Sequence, residues 1–266
     1  MRTEIIEGRI FSGRTYRDSV PRNYDLTVTS TRFPGFSPQA ITFLRGLERN
    51  NKREWFQPRK DIYEEQVRRP LEDLVNAVNA ELAEFSPRHV TPVKKAIFRI
   101  YRDTRFSKDK RPYKTHIAAT FFLQNLCKAA GPCYYFHFTP KELLIFAGVY
   151  MPEREELMAI RNLMAERHEE LLALLRGRGV QKAMGELQGE QLSRVPKGFA
   201  KDHPAEDLIR RRQWFLESTL DSGVVTSNRM LGEILSRFRA AAPMVEFLSQ
   251  PFVGPVRPKK LPFMAF

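Results

Sequence analysis

The sequence predicts an α+β fold, a single domain with a central antiparallel sheet of about four or more strands packed against several helices. The spacing of apolar residues is helical up to Ala96, alternates with a period of two through Val149, and becomes helical again from Pro152. A chain of 266 residues with 42% hydrophobic content is long enough for one large core. No internal repeat or sustained heptad divides it.

Residues 1 to about 32 carry Arg2, Arg9, Arg14, Arg17 and Arg22 among Gly, Ser and Pro without periodicity. They read as a mobile basic tail with one short strand near Leu26 to Thr29. The opening MRTEIIEGRIFSGRTYR mixes charges where a secretory leader needs an apolar stretch, which argues against a signal peptide. The predicted domain covers residues 33–250. Ser37 and Pro38 form an N-cap and first-turn proline before Ile41, Leu44 and Leu47, so a helix runs from there to Asn50. A second helical region starts near Lys52 and continues through Ile62, Leu71, Leu74, Val78 and Leu82, with Pro70 placed to kink or divide it. Trp55 and Phe56 read as core aromatics.

Four short β-branched or aromatic runs follow: Ile97 to Tyr101, Ile117 to Leu123, Cys133 to Thr139 and Leu143 to Val149. Alternation puts Phe98, Ile100, Ile117, Phe121, Tyr134, Phe136, Phe138 and Ile145 on a core face. It puts Arg99, Tyr101, Asp103, His116, Thr120, Tyr135, His137 and Phe146 on a polar one. Pro152 opens a long helix closed by Gly177 and Gly179, and a shorter helix lies around Val180 to Leu187. A further helix is entered through Asp202, His203 and Pro204 and continues through Leu208, Trp214 and Phe215. The last runs from Asn228 to Ala241 and restarts at Pro243. Residues 251–266 form a Pro-rich basic end.

The net charge of +13 favours polyanionic partners, and it is concentrated. Arg88 to Lys114 holds ten Lys or Arg against two Asp, a local balance of +8. Within it, RIYRDTRFSKDKRPYK sets aromatic rings among seven cations. No apolar run reaches the roughly 18 residues that cross a bilayer. Cys127 and Cys133 read as reduced thiols of a cytoplasmic protein. Walker A, dinucleotide-binding and nucleophile-elbow motifs are absent, so no cofactor is predicted. The HEE at His168 lacks a second histidine four residues on, where Leu172 stands, and no metal site is predicted.

Four ordered passages carry a family resemblance: FPGFSPQAITFLRGLERNNKREWF from Phe33, RIYRDTRFSKDKRPYK from Arg99, FAGVYMP from Phe146 and RVPKGFAKDHPAEDLIR from Arg194. Together they resemble the DUF2461 family over roughly Phe33 to Leu248. The resemblance implies a single intracellular α+β domain with a basic segment at its heart, and no substrate.

The predicted ligand-binding set is Arg99, Arg102, Arg105, Lys110, Tyr113 and Lys114, with Tyr101 beside them. Guanidinium groups in a strand and turn suit bidentate binding of phosphate or carboxylate. Arg99 is the most telling, because mid-strand burial would oblige it to find a partner. The competing reading is an internal network in which Asp103 and Asp109 satisfy the arginines. A second set, Lys197, Asp202 and His203, would offer anion-binding backbone N–H groups at a helix start, with Gly198 allowing close approach, and would close over the first. Capping alone accounts for Asp202. His116, His137 and Asp103 could form a metal or acid–base set, which the surrounding positive charge disfavours. The predicted ligand is anionic, with RNA or DNA slightly preferred. The alternatives are an enzyme for a small phosphorylated or carboxylated metabolite, with His203 or Asp103 moving protons, and a scaffold for an acidic protein. Arginines on a flat exposed face would favour nucleic acid, and a concave pocket with buried guanidiniums would favour the enzyme.

Overall fold

The computed structural model describes residues 32–253 apart from 125 and 127–129. The tail predicted over 1–32 lies outside these residues except for Arg32, as do Cys127 and the C-terminal end beyond residue 253.

Helix α1 (Pro38–Arg49) starts as predicted: the Ser37 hydroxyl accepts from the Ala40 N–H at 3.2 Å, and Ile41, Leu44 and Leu47 are buried. The second helical region is a chain of short pieces. These are α2 (Arg53–Phe56), a 3₁₀ turn (Gln57–Arg59), α3 (Lys60–Tyr63), a π turn (Glu64–Arg68) and α4 (Arg69–Phe85). Pro70 divides it, but through the turn before it. Proline has no N–H to donate and its ring would press on the Gln66 carbonyl, and a wider turn relieves both.

After α5 (Val93–Ala96), the predicted strand Ile97 to Tyr101 is only an extended segment with isolated bridges, Ile97 to Ala119 and Tyr101 to Tyr113. Ile97 and Ile100 are both buried, and a spacing of three defeats strand alternation. Phe98 accordingly leaves the core face and meets Tyr135 on the opposite one, edge to face at 5.9 Å.

The sheet contains β1 (Ile117–Phe122), β2 (Cys133–Phe138), β3 (Glu142–Val149) and β4 (Trp214–Asp221), in that order and all antiparallel. The helix predicted through Trp214 and Phe215 is corrected to this fourth strand. The preceding helix α8 covers only Glu206–Ile209. Trp214 and Leu216 are fully buried and Phe215 nearly so. A run buried on both sides carries no period, and the open edge of β3 captures it. Trp214 also donates its indole N–H to the Leu208 carbonyl at 3.1 Å.

The register puts Phe121, Phe136, Ile145 and Leu216 on the inner face, beneath α9 (Met230–Ser249), where Phe238 packs against Phe121 and Tyr134. Helix α9 passes unbroken through Pro243, where the sequence predicts a restart. Pro243 removes one hydrogen bond, to the Arg239 carbonyl, while Ala241, Met244, Val245, Phe247 and Leu248 remain buried around it. Between β3 and α8, α6 (Arg154–Leu175) kinks at Arg167 and is followed by α7 (Arg178–Met184). The outer face, predicted to be polar, carries a second apolar cluster. Cys133, Phe146 and Phe215 are buried there with Phe122, Tyr135 and Leu144 against them.

Two motif glycines are fixed by packing. Gly35 has φ +96°, and a side chain there would stand 2.7 Å from the Ser227 carbonyl oxygen. Gly148 has φ +132°, and a Cβ would lie 2.3 Å from the Trp214 carbonyl oxygen.

Candidate functional site

The segment Arg99 to Lys114 is a finger closed at its base like a hairpin. Lys114 N–H donates to the Ile100 carbonyl at 2.8 Å, and Arg102 N–H to the Pro112 carbonyl at 2.9 Å. Buried Asn51 pins this base by acting as a strand neighbour. Its Nδ2 donates to the Tyr113 carbonyl at 2.9 Å, and its Oδ1 accepts from the Tyr113 N–H at 3.0 Å. The Tyr113 ring stacks on Phe56 with centroids 4.3 Å apart. Tyr113 is therefore a core residue, 1% exposed, and not the ligand wall predicted. Beyond the base the chain leaves the body, and at the tip Phe106 is 95% exposed.

The finger neutralises part of its own charge. Arg105 grips Asp103 with two bonds, of 3.0 and 2.8 Å. Asp109 takes Arg111 at 2.7 Å and Arg102 at 2.7 Å. Hydrogen bonds from Arg111, then from Arg102, hold the Asp109 carboxyl well below the usual carboxylate range. Arg105 lowers Asp103 in the same way, which removes Asp103 as a proton carrier near neutral pH. The predicted internal network thus exists for Arg102, Arg105 and Arg111. Among the described residues, Arg99, Lys108, Lys110 and Lys114 have no carboxylate within 4 Å. Lys110 donates to the Thr104 carbonyl at 3.0 Å, and Lys114 sits 4.9 Å above the Phe98 ring. Burial and the nearby Arg99 charge lower the pKa of Lys114. Arg99 is exposed, so the burial cost that would have demanded a protein partner does not arise.

A cavity of about 430 Å³ opens at the foot of the finger, between Arg99–Tyr101 and the π turn. Phe56 and Tyr63 line it, and Arg68, Arg69, Glu64 and Glu72 face it across from Arg99 and Tyr101. Arg68 is paired with Glu72 at 2.7 Å. Burial raises the Tyr63 hydroxyl to about 12, so it stays protonated. The sequence reading missed Tyr63, Arg68 and Arg69. The signal was present in the Arg–Arg–Pro triplet, because a proline within a helical run disturbs the preceding turn, where Arg68 and Arg69 stand.

Lys197, Asp202 and His203 are not brought to this site. The finger continues from the Ile117 end of β1, whereas Gln188 and Gln191 bridge beside the Trp214 end of β4. The two regions lie at diagonal corners, separated across the sheet by three strand spacings, about 14 Å. The predicted helix start at Asp202 is also corrected. The His203 ring accepts from the Ala205 N–H at 3.0 Å and the His203 carbonyl from the Glu206 N–H at 2.8 Å, so those donors are occupied. Lys197 and Asp202 are exposed, and His203 faces His168 with ring centroids 5.9 Å apart.

His116 and His137 share the outer face at 5.2 Å, but Asp103 is engaged on the finger. Burial, the His137 ring and Lys114 depress His116 to about 4. No group of three metal-ligating side chains occurs among the described residues. Burial pushes the Cys133 thiol up to about 11, which leaves it unreactive. No helix among the described residues is long and apolar enough to cross a membrane.

Fold and site together define an α+β protein with helices packed on one face of an open four-stranded antiparallel sheet and a basic finger beyond its β1 edge. The chain belongs to the DUF2461 family of conserved hypothetical proteins, whose model matches residues 39–247. No curated protein matches it.

Proposed function

We propose that this protein binds a phosphate-bearing polyanion, single-stranded RNA or DNA, along the finger from Arg99 to Lys114. The observation that carries this reading is the projection of the finger away from the body with seven cations against two carboxylates and a fully presented phenyl ring at its tip. Lysines without carboxylate partners suit a mobile phosphate backbone, and Phe106 offers a stacking surface that tolerates any base.

Titration of a fluorescent single-stranded oligonucleotide at several salt concentrations tests this. Each phosphate contact contributes roughly 0.7 to the slope of log K against log salt. Replacing Lys108 and Lys110 with Ala should reduce that slope by roughly 1.4. Phe106→Ala should weaken binding by roughly 1–3 kcal/mol without changing the slope. Affinity that ignores salt, or survives all three substitutions, rejects the reading.

A further inference from the structure

The cavity at the foot of the finger has a character the finger lacks. It is concave, and its volume of about 430 Å³ falls in the range of roughly 300–1,000 Å³ that holds small ligands. Its charges are mixed. Arg68 is committed to Glu72, whereas Arg69 and Arg99 face the space with no ion pair among the described residues. Glu64 likewise has no cation within 4 Å among the described residues. Tyr101 presents a 45% exposed ring, braced from behind by Phe56 and Tyr113 with centroids 6.2 and 5.4 Å away. The Tyr63 hydroxyl keeps its proton at any physiological pH and can donate. The wall carrying Tyr63, Arg68 and Arg69 flanks and includes a π turn, a local geometry often retained at binding sites.

We propose that this cavity binds a phosphomonoester attached to a flat nitrogenous ring, that is, a nucleotide. Arg69 and Arg99 hold the phosphate, since guanidinium forks match its oxygens. The ring lies against Tyr101, and Glu64 accepts from its N–H groups. A purely anionic metabolite would find Glu64 repulsive, and a neutral base would leave two guanidinium groups unanswered. A nucleotide satisfies both signs of charge. The source is either a free mononucleotide or the phosphorylated end of a strand held along the finger. The inference shares Arg99 with the finger reading but does not depend on it.

Calorimetric titration of the whole protein tests this with adenosine and guanosine monophosphates, their nucleosides, inorganic phosphate, and a short oligothymidylate with or without a terminal phosphate. At least one monophosphate should bind one to one, about tenfold or more tighter than its nucleoside or inorganic phosphate. Arg69→Gln, at an exposed position, should weaken it about tenfold with no change in melting temperature, and Tyr101→Ala should weaken it about tenfold as well. The Lys108→Ala, Lys110→Ala pair should leave it unchanged, although it weakens oligonucleotide binding, so the two readings fail separately. Tighter binding of the phosphorylated oligothymidylate assigns the site to a strand end, and indifference to the terminal phosphate alongside tight monophosphate binding assigns it to a free nucleotide. Absence of saturable binding by every monophosphate, or binding that survives Arg69→Gln and Tyr101→Ala together, overturns the proposal.

Discussion

Two arginine-rich regions flank the sheet and use the same side chain in opposite ways. Beside β4, buried Arg161 donates to the carbonyls of Ile209 at 2.9 Å and Arg211 at 3.1 Å, and Arg210 donates to that of Leu192 at 2.8 Å. Burial lowers the pKa of both Arg161 and Arg211, yet their donors tie irregular chain to α6 and β4. In the finger beyond β1, Arg102, Arg105 and Arg111 bond to aspartates on the same exposed loop, and Arg99 and the lysines have no carboxylate partner among the described residues. Arginine beside β4 replaces missing backbone partners, whereas on the finger it builds a charged surface. The count of arginines does not separate the two roles. The acceptors do.

Substitutions can break that contrast. The largest effect should come from Arg161→Ala, which strands the buried Ile209 carbonyl and the half-buried Arg211 carbonyl, leaves a cavity, and should cost about 3 kcal/mol in urea unfolding. Oligonucleotide affinity of the folded fraction should stay as it was. A loss of binding at unchanged stability would reverse the assignment of the two regions.

Acid should then separate the body from the finger. Burial holds His89 at about 4, against 6.5 for the free side chain. Neutral His89 is the folded form, so its contribution is complete above pH 6.5 and is lost as pH falls toward 4, about 3 kcal/mol across that window. The Asp103 and Asp109 carboxyls are depressed, so the finger's ion pairs persist through the same window. His89→Asn should remove the His89 share of the stability lost between pH 6.5 and 4 and leave the share of His116, which is depressed to about 4 as well. A profile unchanged by that substitution would place the acid sensitivity elsewhere.

A smaller effect is expected where the finger joins the body. Asn51→Ala removes both bonds to Tyr113 and should cost about 2 kcal/mol. Hydrogen exchange should then quicken at Arg102 and Lys114 while β2 and β3 stay protected. The smallest change in stability belongs to Asp109→Asn, which releases Arg102 and Arg111 on an exposed loop and should leave the melting temperature nearly unchanged. Oligonucleotide binding should tighten and its salt slope steepen. Weaker binding in this variant would show that Asp109 shapes the finger more than it masks charge.

The sequence by itself determined the α+β class, the start of α1 at Ser37 and Pro38, the register parity of β1 to β3, and the place where positive charge gathers. Each follows from interactions within a few residues: a cap, a proline, an alternation, a local run of cations. Tertiary structure decided the rest. Trp214 to Leu216 became strand because the edge of β3 was open to pair with it, and Pro243 stayed inside α9 because the helix is buried in the core on both sides of it. Tyr113 turned inward because Asn51 and Phe56, distant in sequence, meet it there. The wall of Tyr63, Arg68 and Arg69 reached Arg99 only when the π turn and the foot of the finger packed together. Neighbouring residues set a segment's preference, but a cavity needs two segments, and the chain records their meeting only through the shape of the folded core.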